Sequence, residues 1–182
     1  MYTFRKFTLK DGREIECCIL KNDNHSNDYF VVAGCRNRNV GYCNFEIVGD
    51  TCKIKRIAVT DGDFLGKGVG SIMFNAMEYF CARNGAKYIS GVFTPRGYDN
   101  AWELTSKFYK NHHMKSMDYE YDYCDRDDIF KTIDNVDENY NIPVHTDDIL
   151  FNKVKKYCYI TNDIFSSTHR NNKTNSSSTM EL

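Results

Sequence analysis

Residues 63–71 read DFLGKGVGS, with three glycines in five positions ahead of a helical run. Glycine loses more backbone freedom on folding than any other residue, so such a cluster marks a sharp turn or a close approach. A loop that opens a helix offers unpaired N–H groups and the positive end of the helix dipole, both of which favour an anion. Two phosphate-binding patterns do not fit. With Gly66-Lys67 as the G-K of a Walker A loop, Asp61 stands at the first glycine and Gly68 at the hydroxyl position. A Rossmann G-x-G-x-x-G begun at Gly66 requires glycine at Ser71, and begun at Gly68 requires it at Met73. Metal chemistry finds less support. His112 and His113 are adjacent, and neighbours on a helix diverge by about 100°, too far to share one ion. The eight cysteines contain no C-x-x-C pair, so no zinc cluster is expected and no metal is assigned.

The elements that position the loop follow from periodicity. YTFRKFTL and REIECCIL flank Lys-Asp-Gly, a hairpin turn, and DYFVVAG (28–34), NVGYCNFEIV (39–48) and TCKIKRIAVT (51–60) read as further strands. In the last, regular alternation places Ile54, Arg56 and Ala58 on one face and Lys55, Ile57 and Val59 on the other. Val69, Ile72, Met73, Ala76 and Phe80 then fall on one helical face, and Gly85 is placed just past that helix's end. AKYISGVF (86–93) reads as a buried strand, followed by a helix capped by Asn100 with Ala101, Leu104 and Phe108 on one side. Farther on, residues 115–123 read as a strand and residues 125–153 as one or two short helices, with Thr146 as a cap. Residues 155–160 read as a strand. Residues 1–160 are expected to form one domain and residues 161–182 a disordered polar tail.

Composition narrows the class. At 182 residues, 41% hydrophobic and 27% charged, the chain suits one soluble globular domain with a real core. A net charge of −1 gives no general argument for nucleic acid or membrane. No apolar run approaches the roughly 18–20 residues of a membrane span, and the start has no secretory pattern. The cysteines read as reduced thiols acting as small hydrophobes, which points to a cytoplasmic protein.

The stretch IAVTDGDFLGKGVGSIMF resembles the acyl-coenzyme A loop of the GCN5-related N-acetyltransferase (GNAT) superfamily, whose motif [QR]-x-x-G-x-[GA] follows a β-strand. Here it runs Leu65-Gly66-Lys67-Gly68-Val69-Gly70, with Leu65 where the family has Gln or Arg. A second motif, F-Y-x-x-x-G-[FY], is matched by Phe108-Tyr109, with His113 and Met114 at its Gly and aromatic positions. The resemblance spans residues 40–115. It implies an α/β (α+β) fold whose mixed, mainly antiparallel sheet is flanked by helices, with the acyl-coenzyme A loop between a central strand and the next helix. It also implies acetyl transfer from acetyl-coenzyme A to a primary amine. The N–H groups of residues 66–71 (Gly66, Lys67, Gly68, Val69, Gly70, Ser71) are expected to bind the pyrophosphate. Gly68 and Gly70 would leave room for the phosphates, and Ile57, Ala58 and Val59 would pair with the pantetheine arm. Tyr109 resembles the family's general acid. Glu46 is the candidate base, with water as the alternative.

The helical roof that the family places between its first two strands looks reduced, since residues 10–28 read as a hairpin return and a polar loop. Residues 117–138 carry a net excess of seven acidic charges, a field suited to a cationic acceptor such as a polyamine or a lysine-rich tail. Other readings stay open: a toxin-like acetyltransferase acting on charged tRNA, which that acidity disfavours; a non-catalytic acyl-coenzyme A-binding module; and a purely structural protein. The acceptor is not specified, a homodimer is left open, and neither membrane nor nucleic acid is expected as a partner.

Overall fold

Leu9 and Gly12 close the first turn: Leu9 donates its N–H to the Arg13 carbonyl at 2.7 Å, and Gly12, at φ 84°, donates to Leu9 at 3.0 Å. This turn joins β1 (Arg5–Thr8) to β2 (Glu14–Asn22). The computed structural model describes residues 2–22, 25–93, 101–116 and 127–157. An antiparallel meander continues through β3 (His25–Cys35), β4 (Arg38–Val48) and β5 (Thr51–Val59). Arg36 and Asn37 make the β3–β4 turn at φ 48° and 68°, the left-handed pair that matches strand twist.

The period then changes to helix α1 (Val69–Arg83). Gly85, at φ 87°, ends it: Ala86 donates back to Cys81 at 3.0 Å and Gly85 to Ala82 at 3.1 Å, satisfying the last carbonyls. Strand β6 (Tyr88–Phe93) runs parallel to β5, and α2 (Ala101–Asn111) follows. Then come β7 (Lys115–Ser116), β8 (Asp127–Thr132), β9 (Val144–Thr146) and α3 (Asp148–Tyr157). The strands form one mixed, mainly antiparallel sheet in the order β1-β2-β3-β4-β5-β6-β8-β7, with β9 parallel to β2. No helix among the described residues is long and apolar enough to cross a membrane.

Both faces of this sheet are covered, which explains why Val40, Gly41, Tyr42 and Cys43 are buried in succession rather than alternately. Val69, Ile72, Met73, Ala76 and Met77 of α1 pack on Ile19, Val31, Cys43 and Phe45 on one face. Gly41 makes this fit close, since a Cβ there would lie 2.9 Å from Met73 Cε and from the Ala58 carbonyl oxygen. On the other face Leu150, Phe151 and Val154 of α3 cover Leu20, Phe30, Val32 and Tyr42. Asp147 caps α3 by accepting from the Leu150 N–H at 2.8 Å and from the Tyr2 hydroxyl, and Lys155 pairs with Asp28 at 3.5 Å. The cover missing between the first two strands is therefore supplied from the far end of the chain.

Several expectations are corrected here. Residues 155–157 close α3 rather than opening a strand, because Leu150, Phe151 and Val154 follow the helical period; residues 158–160 lie outside the described residues. Residues 127–132 are strand, held by antiparallel pairing with β6, where a helix was expected. Thr146 ends β9, and Asp147 takes the capping role. Of the strand expected over 115–123, Lys115 and Ser116 pair with β8, and the rest lies outside the described residues, as do Asn100 and the tail at 161–182.

Candidate active site

Strand β5 departs from regular alternation at Lys55. Asn44 faces Arg56 and Phe45 faces Ile54, so Lys55 is the extra residue of a β-bulge. The bulge turns Ile57 and Val59 to the same core as Ile54, and Ala58 to the opposite cluster. This corrects the expected grouping of Ile54 with Arg56 and Ala58. The bulge also marks a parting of strands. Strand β6 pairs with β5 only from Thr51↔Tyr88 to Ile54↔Gly91, whereas Val92 and Phe93 stay with β8 and residues 56–59 stay with β4. The sheet splits there, leaving the β6-side edge of Ile57, Ala58 and Val59 without a strand partner among the described residues.

The chain next forms a single 3-10 turn, Gly62–Phe64, capped by the Asp61 carboxylate at 3.1 Å from the Asp63 N–H. It then enters the glycine loop. Gly66 and Gly68 stand at φ 71° and 101°, conformations that strain other residues, and a Cβ at either would meet nothing within 4 Å. Both are therefore open as well as left-handed. Gly68 is the N-cap of α1; its carbonyl accepts from Ile72 at 3.0 Å, while the N–H groups of Val69, Gly70 and Ser71 precede this first helical donor. Gly70 serves packing instead, since a Cβ there would come within 3.2 Å of Phe108 on α2. Leu65 is exposed. Residues of this kind suit the pyrophosphate of an acyl-coenzyme A: open backbone, a helix dipole and no side chain in the way.

Two supports of the loop carry no sequence motif. The β1–β2 turn braces it from the side. Arg13 Nη2 donates to the Asp63 carbonyl at 2.7 Å and pairs with Asp11 at 2.7 Å, and its guanidinium lies 3.9 Å from the Phe64 ring centre. His112, just past the end of α2, supports the other side, its Nε2 3.1 Å from Ser71 Oγ and its ring 4.2 Å from that of Phe74. Burial, with Lys131 and His113 nearby, pushes its imidazole pKa down to about 4, so it is neutral. A histidine at a helix end gives no signal of this from sequence.

Tyr109 is 7% exposed and belongs to the α1-side core, beside the ring of Phe108. Burial, with the Cys43 thiol close by, raises its phenol well above the ordinary range, so it stays protonated. Glu46 lies on the other side of the sheet, in the α3-side group. Its carboxylate is 2.9 Å from Lys55 Nζ, which also lies 3.3 Å from Asp28; Asn44 donates to Asp28 at 3.0 Å. Burial works against the Lys55 charge, but its bonds to Glu46 and Asp28 outweigh this and raise its pKa. The structure thus brings the loop, Ser71 and α2 together and separates Tyr109 from Glu46.

A sequence model of the acetyltransferase (GNAT) family matches residues 2–108. Among solved structures, the chain is similar to the GNAT domain of PAT from S. lividans, with TM-score 0.58, 10% identity, and 72% of this chain and 99% of that one covered. It is also similar to the PaiA N-acetyltransferase of Thermoplasma acidophilum in complex with coenzyme A (TM-score 0.50, 14% identity, 60% and 63% covered). A GNAT acetyltransferase of Desulfovibrio desulfuricans gives TM-score 0.50 at 15% identity over 59% and 71%. No curated protein matches the chain significantly.

Proposed function

Because the chain belongs to the acetyltransferase (GNAT) family and is an acyltransferase with acetyl-coenzyme A as donor, we propose that its acceptor is a primary amine carrying positive charge. One observation carries the donor site: β5 parts from β6 after Ile54 and then leads into an open glycine loop at the N-terminus of α1. The vacated edge of Ile57, Ala58 and Val59 would pair with the pantetheine arm as with a neighbouring strand. Leu65, Gly66, Lys67, Gly68, Val69, Gly70 and Ser71 would hold the phosphates. The donor supplies an acetyl thioester that an amine attacks, with a thiolate leaving. An N–H of Ile57 or Val59 would polarise the carbonyl. Tyr109, kept protonated by burial, would donate toward the departing thiolate.

The acceptor class rests on Glu46 and Asp28. These carboxylates already hold one primary ammonium, that of Lys55. The Lys55 and Glu46 side chains remain 39% and 30% exposed, so their pairing contributes about 1 kcal/mol or less, and an incoming amine could replace it. Glu46, acting across the split between β5 and β6 from the face opposite Tyr109, or water in its place, would then accept the amine's proton. Polyamines, small cationic amines, and lysine or N-terminal amines of proteins all fit this chemistry.

Titration calorimetry with coenzyme A tests the donor site, and Gly68→Asp is expected to abolish binding by placing bulk and charge at the phosphates. Retained binding in a folded Gly68→Asp variant refutes the loop. An amine panel tests the acceptor. With the best amine, Tyr109→Phe is expected to keep coenzyme A affinity and lower turnover roughly 10²–10⁴-fold. Unchanged turnover removes Tyr109 as the acid. Wild-type protein that binds the donor and acetylates no amine is instead a binding module, and acetylation of charged tRNA supports the toxin-like reading.

A further inference from the structure

Ser71 is the third residue of α1, the last of the stretch whose N–H groups point away from the helix. Its hydroxyl has a partner that the acetyl-transfer reading does not use. His112 Nε2 lies 3.1 Å away, on a ring wedged against Phe74 at 4.2 Å and Phe108 at 4.7 Å between centroids. His112 is 8% exposed. An apolar ring such as phenylalanine would satisfy the same stacking, so packing alone does not explain a buried imidazole, which is costly unless hydrogen-bonded. What the imidazole adds is the contact to Ser71.

The direction of that contact decides what Ser71 can offer. If Nε2 carries no proton, the Ser71 hydroxyl donates to it, and only oxygen lone pairs face outward; these repel an anion. If Nε2 carries the proton, it donates to Ser71 Oγ, and the hydroxyl proton is free to turn outward as a donor. A phosphate selects the second arrangement. Lys131 and His113 beside the ring oppose a second proton, so the imidazole keeps a single N–H to commit.

We propose that His112 is a positioning residue for the acyl donor's phosphates: its Nε2–H holds Ser71 Oγ so that the Ser71 hydroxyl donates to a phosphate oxygen. It does not touch the donor itself. The same contact ties α2, the helix of Tyr109, to the phosphate end of α1. This rests on the reading that residues 65–71 bind the donor's phosphates.

The test is a double-mutant cycle in coenzyme A affinity, measured by titration calorimetry on the full chain. Ser71→Ala and His112→Phe are each expected to weaken coenzyme A about tenfold, as for a hydrogen bond to a charged group, and the double variant is expected to be no weaker than either. His112→Gln, whose amide N–H can replace Nε2–H, is expected to recover most of the loss. Pantetheine, which lacks the phosphates, should bind wild type and His112→Phe alike when measured in the same way. Additive losses in the cycle, or an equal loss with pantetheine, overturn the proposal and leave His112 a packing residue. Gly68→Asp separates the two ideas. If it abolishes coenzyme A binding while the cycle is additive, only the role of His112 falls; if it binds normally, the loop reading falls with it.

Discussion

The helix bearing Tyr109 ends on His113, which stands at φ 60°. Met114 donates to the Tyr109 carbonyl and His113 to that of Lys110, both at 3.0 Å, the same two-bond cap that Gly85 makes at the end of α1. Glycine occupies this position in the resembling family motif, and the structure supplies the reason: the cap needs a left-handed residue. Holding an L-residue left-handed costs about 1–2 kcal/mol, and glycine loses roughly 0.5–1 kcal/mol through its freer unfolded state. His113→Gly should therefore stabilise the fold by about 0.5–1 kcal/mol, or about 1–4 °C in melting temperature for a domain of this size. The His113 side chain is exposed, so little contact is lost. Calorimetric melting of wild type and variant in the same buffer measures the difference. His113→Ala keeps a Cβ and should gain nothing. A glycine variant no more stable than wild type, or an alanine variant gaining as much, refutes the backbone argument.

Leu65 stands 50% exposed where the family motif carries Gln or Arg; Leu65→Arg should tighten coenzyme A by about 1 kcal/mol, roughly fivefold, and unchanged or weaker binding in a titration shows that no cation is missing there. Phe151 is fully buried against Phe30, with centroids 5.1 Å apart, so Phe151→Ala should lower urea-unfolding stability by about 3–5 kcal/mol. A loss under about 1 kcal/mol shows that α3 does not cover the sheet in solution. The neutral His112 predicts acid sensitivity. Its folded pKa of about 4 lies below the ordinary 6.5, so the unfolded chain binds the extra proton between those values. Stability should therefore rise with pH across that window, by up to about 3 kcal/mol from this group. His112→Gln should flatten the curve there relative to wild type, and parallel curves remove His112 as the cause.

What the sequence determined by itself is what a few neighbouring residues settle. Gly12, Gly66, Gly68 and Gly85 mark their turns because left-handed backbone is a local demand, and each stands at positive φ. The stripe from Val69 to Phe80 is helical because burial on one side repeats every three to four residues, and the glycine loop before it advertises an anion site for the same local reason. Tertiary structure decided the rest. Residues 127–132 became a strand because β6, paired with β5 along one edge, offered its other edge for antiparallel pairing. The bulge at Lys55 reset the faces of Ile57 and Val59, since one unpaired residue reverses every side chain after it. The roof came from α3, more than a hundred residues away from the strands it covers. Ser71 found His112 across forty-one positions, and Glu46 found Lys55 and Asp28 on adjoining strands. These pairings depend on which surfaces remain uncovered once the sheet has formed. No window of local sequence carries that information, because the contact free energy appears only after the chain has closed the long loops between the partners.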